Sequence, residues 1–305
     1  MKAEALAGLS AGQRLLLARK LQERRAGAAV GAPAGPGRRW ARRSLGLPGP
    51  LALAVLRLAR EAGYEPAEVL LAAWAGLLAR YSGRDEAVIA TPTLLRIAGC
   101  RTLSFRALLE RVRRAPAAGE SAAPGGAAPL PAGFLFEPTA ERRPPAAAED
   151  LPGAPGLVLR VLAEVSRLHC QLDFWADRST ATDATRMLLH FARLLEGAIG
   201  DPDHPLAGLD LLAAAERHQL VVEWREVGRE ILGDGAAPGS PCPWLYLLDP
   251  NGQPVPVGVA GEICLADSAR LWQSGRTAVR RPDGSLVPVE ATAGDDPASG
   301  SGVQE

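Results

Sequence analysis

The chain has 305 residues, 47% hydrophobic and 22% charged, the balance of a soluble globular protein long enough to bury one large core or two ordinary ones. Lys+Arg and Asp+Glu stand at 34 each, so the net charge points to no polyanionic partner, neither nucleic acid nor an anionic membrane. Cys100, Cys170, Cys242 and Cys264 lie far apart with no CxxC pair, which argues against a zinc site or a disulfide framework and fits a reduced cytoplasm.

The N-terminal apolar run is too short for a signal peptide, and no later stretch is long enough to span a bilayer. Residues 9–25, "LSAGQRLLLARKLQERR", predict a short amphipathic helix capped by Ser10, followed by an Ala/Gly/Pro connector. "LALAVLRLAREAG" predicts a helix that stops at Gly63. Pro66 opens a second helix, "PAEVLLAAWAGLLARY", apolar on nearly every side and therefore buried; Ser82-Gly83 ends it. "EAVIATP" follows as a short buried strand closed by Pro92, and "LSFRALLERVRR" is a helix with Ser104 as its N-cap. Residues 115–150 are rich in Ala, Pro and Gly and predict a loop-like insert, with one strand at "GFLF", Gly133 to Phe136.

Leu157, Leu159, Val161 and Ala163 alternate along one strand, and Leu168, Cys170, Leu172 and Phe174 along the next; period two in both predicts an antiparallel pair with one buried face. Trp175 is expected at the exposed end of that strand. "TDATRMLLHFARLLEGAIG" is a helix burying Met187, Phe191, Leu194, Leu195 and Ala198, with Asp183 as a capping or macrodipole residue. "DPDHPLAGLDLLAAAERHQLVVEW" leaves it through two prolines into a short helical segment. In "GQPVPVGVAGEICLA", Pro254 and Pro256 remove ladder donors. That stretch predicts an edge strand turning at Gly258 and Gly261 before "EICLA" re-enters a sheet.

The order of these pieces resembles a nonribosomal peptide synthetase. "LLAAWAGLLARYSGRDEAVIATP" (Leu70 to Pro92) is similar to the second lobe of a condensation domain, and "LSFRALLERVR" to the helix that shortly follows there. "DPDHPLAGLDLLAAAERHQLVVEW" (Asp201 to Trp224) resembles the linker from a condensation to an adenylation domain. "GQPVPVGVAGEICLA" and "LWQSGRTAVRRPDGSL" (Leu271 to Leu286) resemble adenylation-domain strands and their Pro-Asp-Gly turn. The implied fold class is α/β: a partial chloramphenicol-acetyltransferase-like lobe, helices over a mixed sheet, with a small β-rich adenylation-derived segment.

The resemblance divides the chain into an N-terminal helix and linker (1–38), a partial condensation domain (39–200, with the low-complexity insert at 115–150), an inter-domain linker (201–225), a degenerate adenylation fragment (226–289) and a tail (290–305). It implies a first lobe that this sequence lacks, together with its His-His-x-x-x-Asp-Gly motif. That motif places an imidazole within reach of the attacking amine. The four histidines here, His169, His190, His204 and His218, are never adjacent. The family's phosphate loop is missing as well, and Arg276 stands where it has a ribose-binding aspartate. A guanidinium has only donors and accepts nothing from ribose hydroxyls.

No catalytic, cofactor-binding or metal-ligating residue is therefore assigned. "LDFWAD" (Leu172 to Asp177) is read as an alternating strand. His169 and Cys170, neighbours on a strand, face opposite sides and cannot pair. His190 is a packing or surface residue, His204 and His218 solvated linker residues, Arg276 a solvated arginine. No cofactor is expected for this chain alone; the parent family uses ATP, Mg and phosphopantetheine on carrier domains. The expected function is a synthetase-like fragment related to condensation and adenylation without catalysis of its own. The alternatives are an enzyme subunit completed in trans and a scaffold binding a peptidyl or aminoacyl carrier protein or other synthetase subunits.

Overall fold

The computed structural model describes residues 39–115, 132–138, 148–153, 155–224, 226–227, 244–266 and 271–289. The helix expected over 9–25, the tail from 290 and most of the 115–150 insert lie outside the described residues. Two compact units divide the chain, the first holding 39–78 and 85–206, the second 79–84 and the residues from 207 onward.

The first unit is built on a six-stranded mixed sheet. Its strands are β1 (Trp40–Gly46), β2 (Glu86–Ala90), β3 (Leu94–Ala98), β4 (Ala132–Pro138), β5 (Leu157–Ala163) and β6 (Leu168–Trp175), in the order β1-β6-β5-β4-β2-β3. β4 runs parallel to β2 and β5, and the other pairs are antiparallel. The expected α/β class is met: helices α1 (Gly49–Ala62), α2 (Pro66–Ser82), α3 (Phe105–Arg113) and α4 (Ala181–Gly200) accompany the sheet.

Local signals set the helix ends. Gly63 closes α1 at φ +68, a left-handed conformation that suits a residue without Cβ. The Ser104 hydroxyl accepts from Ala107 N at 3.3 Å and caps α3. Thr180 and Asp183 form a reciprocal capping box on α4, so Asp183 is the capping residue expected. Within the first unit, α2 is buried almost all round, as its unbroken apolar sequence requires. Trp74 on α2 meets Phe191 on α4 edge to face at 6.2 Å and donates from Nε1 to the Gly133 carbonyl at 3.2 Å.

β5 and β6 pair antiparallel with Leu159 opposite Leu172 and Val161 opposite Cys170, as the alternation predicts. The expectation of one buried face is corrected. The opposite face carries Arg160 and Asp173, which are also buried, together with a cluster of Ala90, Leu135, Ala148, Leu151 and Val158. Trp175 is corrected likewise: it is only 4% exposed. Its indole sits against Gly156, where a Cβ would come within 2.7 Å of the ring, and meets Trp40 edge to face at 5.9 Å. Alternation alone does not reveal β1, which supplies that second tryptophan.

The second unit holds a five-stranded antiparallel sheet, β11-β10-β9-β8-β7, made from β7 (Glu226–Val227), β8 (Trp244–Leu248), β9 (Ala260–Ala266), β10 (Leu271–Arg280) and β11 (Leu286–Val289). The expected edge strand at Pro254 and Pro256 does not form: a single bridge joins Pro254 to Leu248 and the chain turns at Gly258, φ +83. Gly261 is not a turn. It lies inside β9, flanked by β8 and β10, where a Cβ would meet Val255 at 2.7 Å. Short helix α5 (Ala214–His218) passes into a π-type turn, Gln219–Glu223. Leu212 and Leu220 from this segment pack with Val257, and Trp224 lies beneath Gly284. Arg80 donates to the Leu209 carbonyl and lies 3.4 Å from Asp249.

Candidate functional site

The densest buried arrangement of charge in the first unit runs across four strands. Arg42 on β1 stands opposite Asp173 on β6 in the sheet register; its Nε and Nη2 both donate to the carboxylate, Nη2 to Oδ2 at 2.9 Å. Arg160 on β5 places Nε 3.7 Å from the same Asp173 oxygen, and its Nη1 donates to Glu137 on β4. The alternation of each strand turns all four side chains to one face. Arg160 and Asp173 are 4% and 5% exposed, so these charges are held where water cannot screen them.

The ladder alternates positive and negative and sums to zero. Each carboxylate is engaged by a guanidinium. Donating to Asp173 in turn raises the Arg42 pKa. Chemically the arrangement clamps the four strands together.

The residues singled out in the sequence are dispersed. His169 is exposed on β6 while Cys170 beside it is fully buried, as the strand geometry demands, and burial pushes the Cys170 thiol up to about 12. His190 is buried in α4. His204 lies 4.0 Å from Asp201, and His218 lies 3.4 Å from Glu223; both imidazoles are exposed. Arg276 is exposed in a bulge of β10 beside Gly275, φ +68, its amide bonded to the Ser274 hydroxyl. An exposed guanidinium there does not fit the ribose of the ATP that the resemblance implies, because it has donors only.

Asp283, in the Pro-Asp-Gly turn, is committed to the Ser285 amide and hydroxyl. Among the described residues no group of three His, Cys, Asp or Glu side chains could hold a metal ion, and no helix is long and apolar enough to cross a membrane.

Sequence reasoning missed the charge ladder. Its signal is present: Arg160 interrupts "LVLRVLA" and Asp173 interrupts "LDFW", opposite charges in neighbouring apolar strands. β1 carries the third member in "WARRSLG", a segment with no clean alternation.

No family model matches the chain. Among solved structures it is similar to the first condensation domain of the CDA synthetase, at 20% identity and TM-score 0.47 over 68% of this chain and 58% of that one. It is also similar to the X-domain from teicoplanin biosynthesis, at 19% identity and TM-score 0.47 over 68% of this chain and 59% of that one. A third similar structure is a holo four-domain nonribosomal peptide synthetase bound to AMP and glycine, at 14% identity and TM-score 0.47 over 68% of this chain and 21% of that one. The chain thus spans less than two thirds of each of these proteins.

Proposed function

We propose that this chain is a condensation-type fragment of the nonribosomal peptide synthetase class, without catalysis of its own, that serves as a scaffold for carrier proteins. The observation that carries the reading is the order of elements. The segments resembling the second condensation lobe, Leu70 to Pro92 and Leu103 to Arg113, lie on α2, β2 and α3 beside a mixed sheet, the architecture that resemblance implies. The Asp201 to Trp224 segment then leads toward a separate antiparallel sheet.

Support for a non-catalytic role comes from the distribution of bases. Aminolysis of a thioester needs an imidazole or equivalent base at the amine. His169, His190, His204 and His218 occupy separate elements, one of them buried in α4. The ladder carboxylates Asp173 and Glu137 are neutralised by arginines. The partner chemistry is a carrier domain bearing a phosphopantetheine thioester, and the adenylation-like sheet is a remnant with no nucleotide role.

The test is titration of the full chain with aminoacyl- and peptidyl-loaded carrier proteins, read by calorimetry for binding and by mass spectrometry for product. Saturable binding without peptide formation is expected. Product from this chain and the loaded carriers alone refutes the non-catalytic reading. Product that appears only after adding a polypeptide bearing a His-His-x-x-x-Asp-Gly lobe replaces the scaffold with a subunit completed in trans. No binding at high carrier concentration removes the scaffold role.

A further inference from the structure

A strand at the margin of a sheet presents a row of unpaired backbone donors and acceptors, and natural proteins shorten, charge or proline-block such edges. The margins here are β1 and β3 in one sheet and β7 and β11 in the other. β7 spans 2 residues and β3 spans 5. On β11, the bond from Arg281 N to Ser285 O turns Ser285, Val287 and Val289 inward, which leaves Leu286 and Pro288 outward. Pro288 has no N–H, so that edge is blocked.

β1 is different: 7 residues with no proline and no bulge against β6. Leu47 N donates to Leu168 O at 2.9 Å, and Ala176 N donates to Arg39 O at 2.8 Å. Odd-numbered residues therefore bond inward, and the N–H and C=O groups of Trp40, Arg42, Ser44 and Gly46 point away from the sheet. Among the described residues, one bond reaches this row, from Arg43 Nη1 to the Arg42 carbonyl at 3.0 Å. Arg39 and Arg43 have no carboxylate partner among the described residues, whereas Arg42 is answered by Asp173.

We propose that the outer edge of β1 is a docking site for an extended acidic segment of another polypeptide, which adds antiparallel to the sheet as a seventh strand. Its amides would bond the outward carbonyls of Trp40, Arg42, Ser44 and Gly46, its carbonyls the outward amides. Carboxylates opposite Arg43 and Arg39 complete it, and the incoming N–H at Arg42 O releases Arg43 to pair with one of them. A second copy of this chain is the poorer occupant: antiparallel pairing centred on Arg42 or Arg43 sets arginine against arginine.

The probe is the designed peptide Thr-Val-Thr-Glu-Thr-Val-Thr-Glu, whose glutamates fall opposite Arg43 and Arg39 when Gly46 faces its first residue. Amide exchange is followed in the full chain by NMR. At about ten times the dissociation constant, exchange at Arg42, Ser44 and Gly46 slows about tenfold, while Arg43 and Leu45, already bonded to β6, are unchanged. The analogue with lysine for glutamate gives less protection at the same concentration. Ser44→Pro removes only an outward donor and abolishes the effect. Arg39→Glu with Arg43→Glu reverses the preference toward the lysine peptide, a readout that stands even if the proline variant fails to fold. No slowing at those amides with millimolar peptide, or an unchanged preference after charge reversal, overturns the proposal. So does a doubling of sedimentation mass in the chain alone that Ser44→Pro abolishes, since the edge would then belong to a second copy.

Discussion

Arg42 and Asp173 face each other across β1 and β6, and the guanidinium meets the carboxylate with two parallel donors. That fork fixes the register of a strand with little other sequence signal. Taking Asp173 away removes one of the two carboxylates beside the buried Arg160 and leaves Glu137 to answer it. Asp173→Ala is expected to destabilise the first unit by about 3 kcal/mol, as loss of one member of a buried ion pair does. Arg42→Ala removes a more exposed partner and is expected to cost about 1 kcal/mol. Urea denaturation followed through tryptophan emission measures both; equal losses would show that the ladder does not act through Asp173.

A second prediction concerns close approach. At Gly156 a Cβ would lie 2.7 Å from the Trp175 ring, closer than any real contact permits. Gly156→Ala therefore has to displace the indole and its partner Trp40, at an expected cost of about 1–3 kcal/mol. The accompanying observable is a change in near-ultraviolet circular dichroism, because the tryptophan pair is the aromatic couple at that end of the sheet. An unaltered spectrum and midpoint would mean that the indole moves freely.

The first unit was readable where one physical rule acted alone. Gly63, Ser104 and Asp183 mark helix ends through backbone chemistry that needs no tertiary partner, and they fall at the ends of α1, α3 and α4. Alternation in β5 and β6 was legible because their Leu159, Val161, Cys170 and Leu172 face a common core. Trp175 was misread because its burial depends on Trp40 and Gly156, residues that only the folded sheet brings beside it. The same holds for Arg42 and Glu137, whose partners lie 131 and 23 residues away in sequence. Gly261 departs from the expected turn for a local reason: its close contact with Val255 demands a glycine within a strand.

Thiol chemistry offers a third test. Burial pushes Cys100 and Cys170 up to about 12, and it raises Cys264 in the same direction. All three are free and buried. Iodoacetamide at pH 8, on the order of half a unit below an ordinary thiol, should leave them unlabelled in the native chain and modify them fully in guanidinium. Peptide mapping by mass spectrometry locates the adducts, and rapid native labelling of Cys170 would contradict its place between β5 and β1.

Acid sensitivity follows from Tyr64. Its hydroxyl donates to Glu110, and that bond, ahead of the charges of Arg114 and Arg113, holds the Glu110 carboxyl below its ordinary 4.5. A depressed carboxyl contributes stability that is present above the unfolded pKa and is lost as pH falls through the folded one. Tyr64→Phe should therefore lower the midpoint near neutral pH and flatten the loss of stability below about pH 4.5, since the linked proton uptake shrinks to what Arg114 and Arg113 sustain. Parallel acid limbs in the two proteins would show that the bond does not form in solution.

Helix α2 carries a consequence for how the chain is made. Trp74 finds the Gly133 carbonyl only 59 residues downstream, and Phe191 comes later still. A ribosome moving at about 5–20 residues per second needs roughly 3–12 s to deliver the first of these partners. Through that interval Trp74 lacks both the carbonyl and the aromatic ring it meets in the folded protein. A growing chain of this protein thus carries Trp74 before its acceptor exists, whereas the finished molecule leaves that ring 1% exposed.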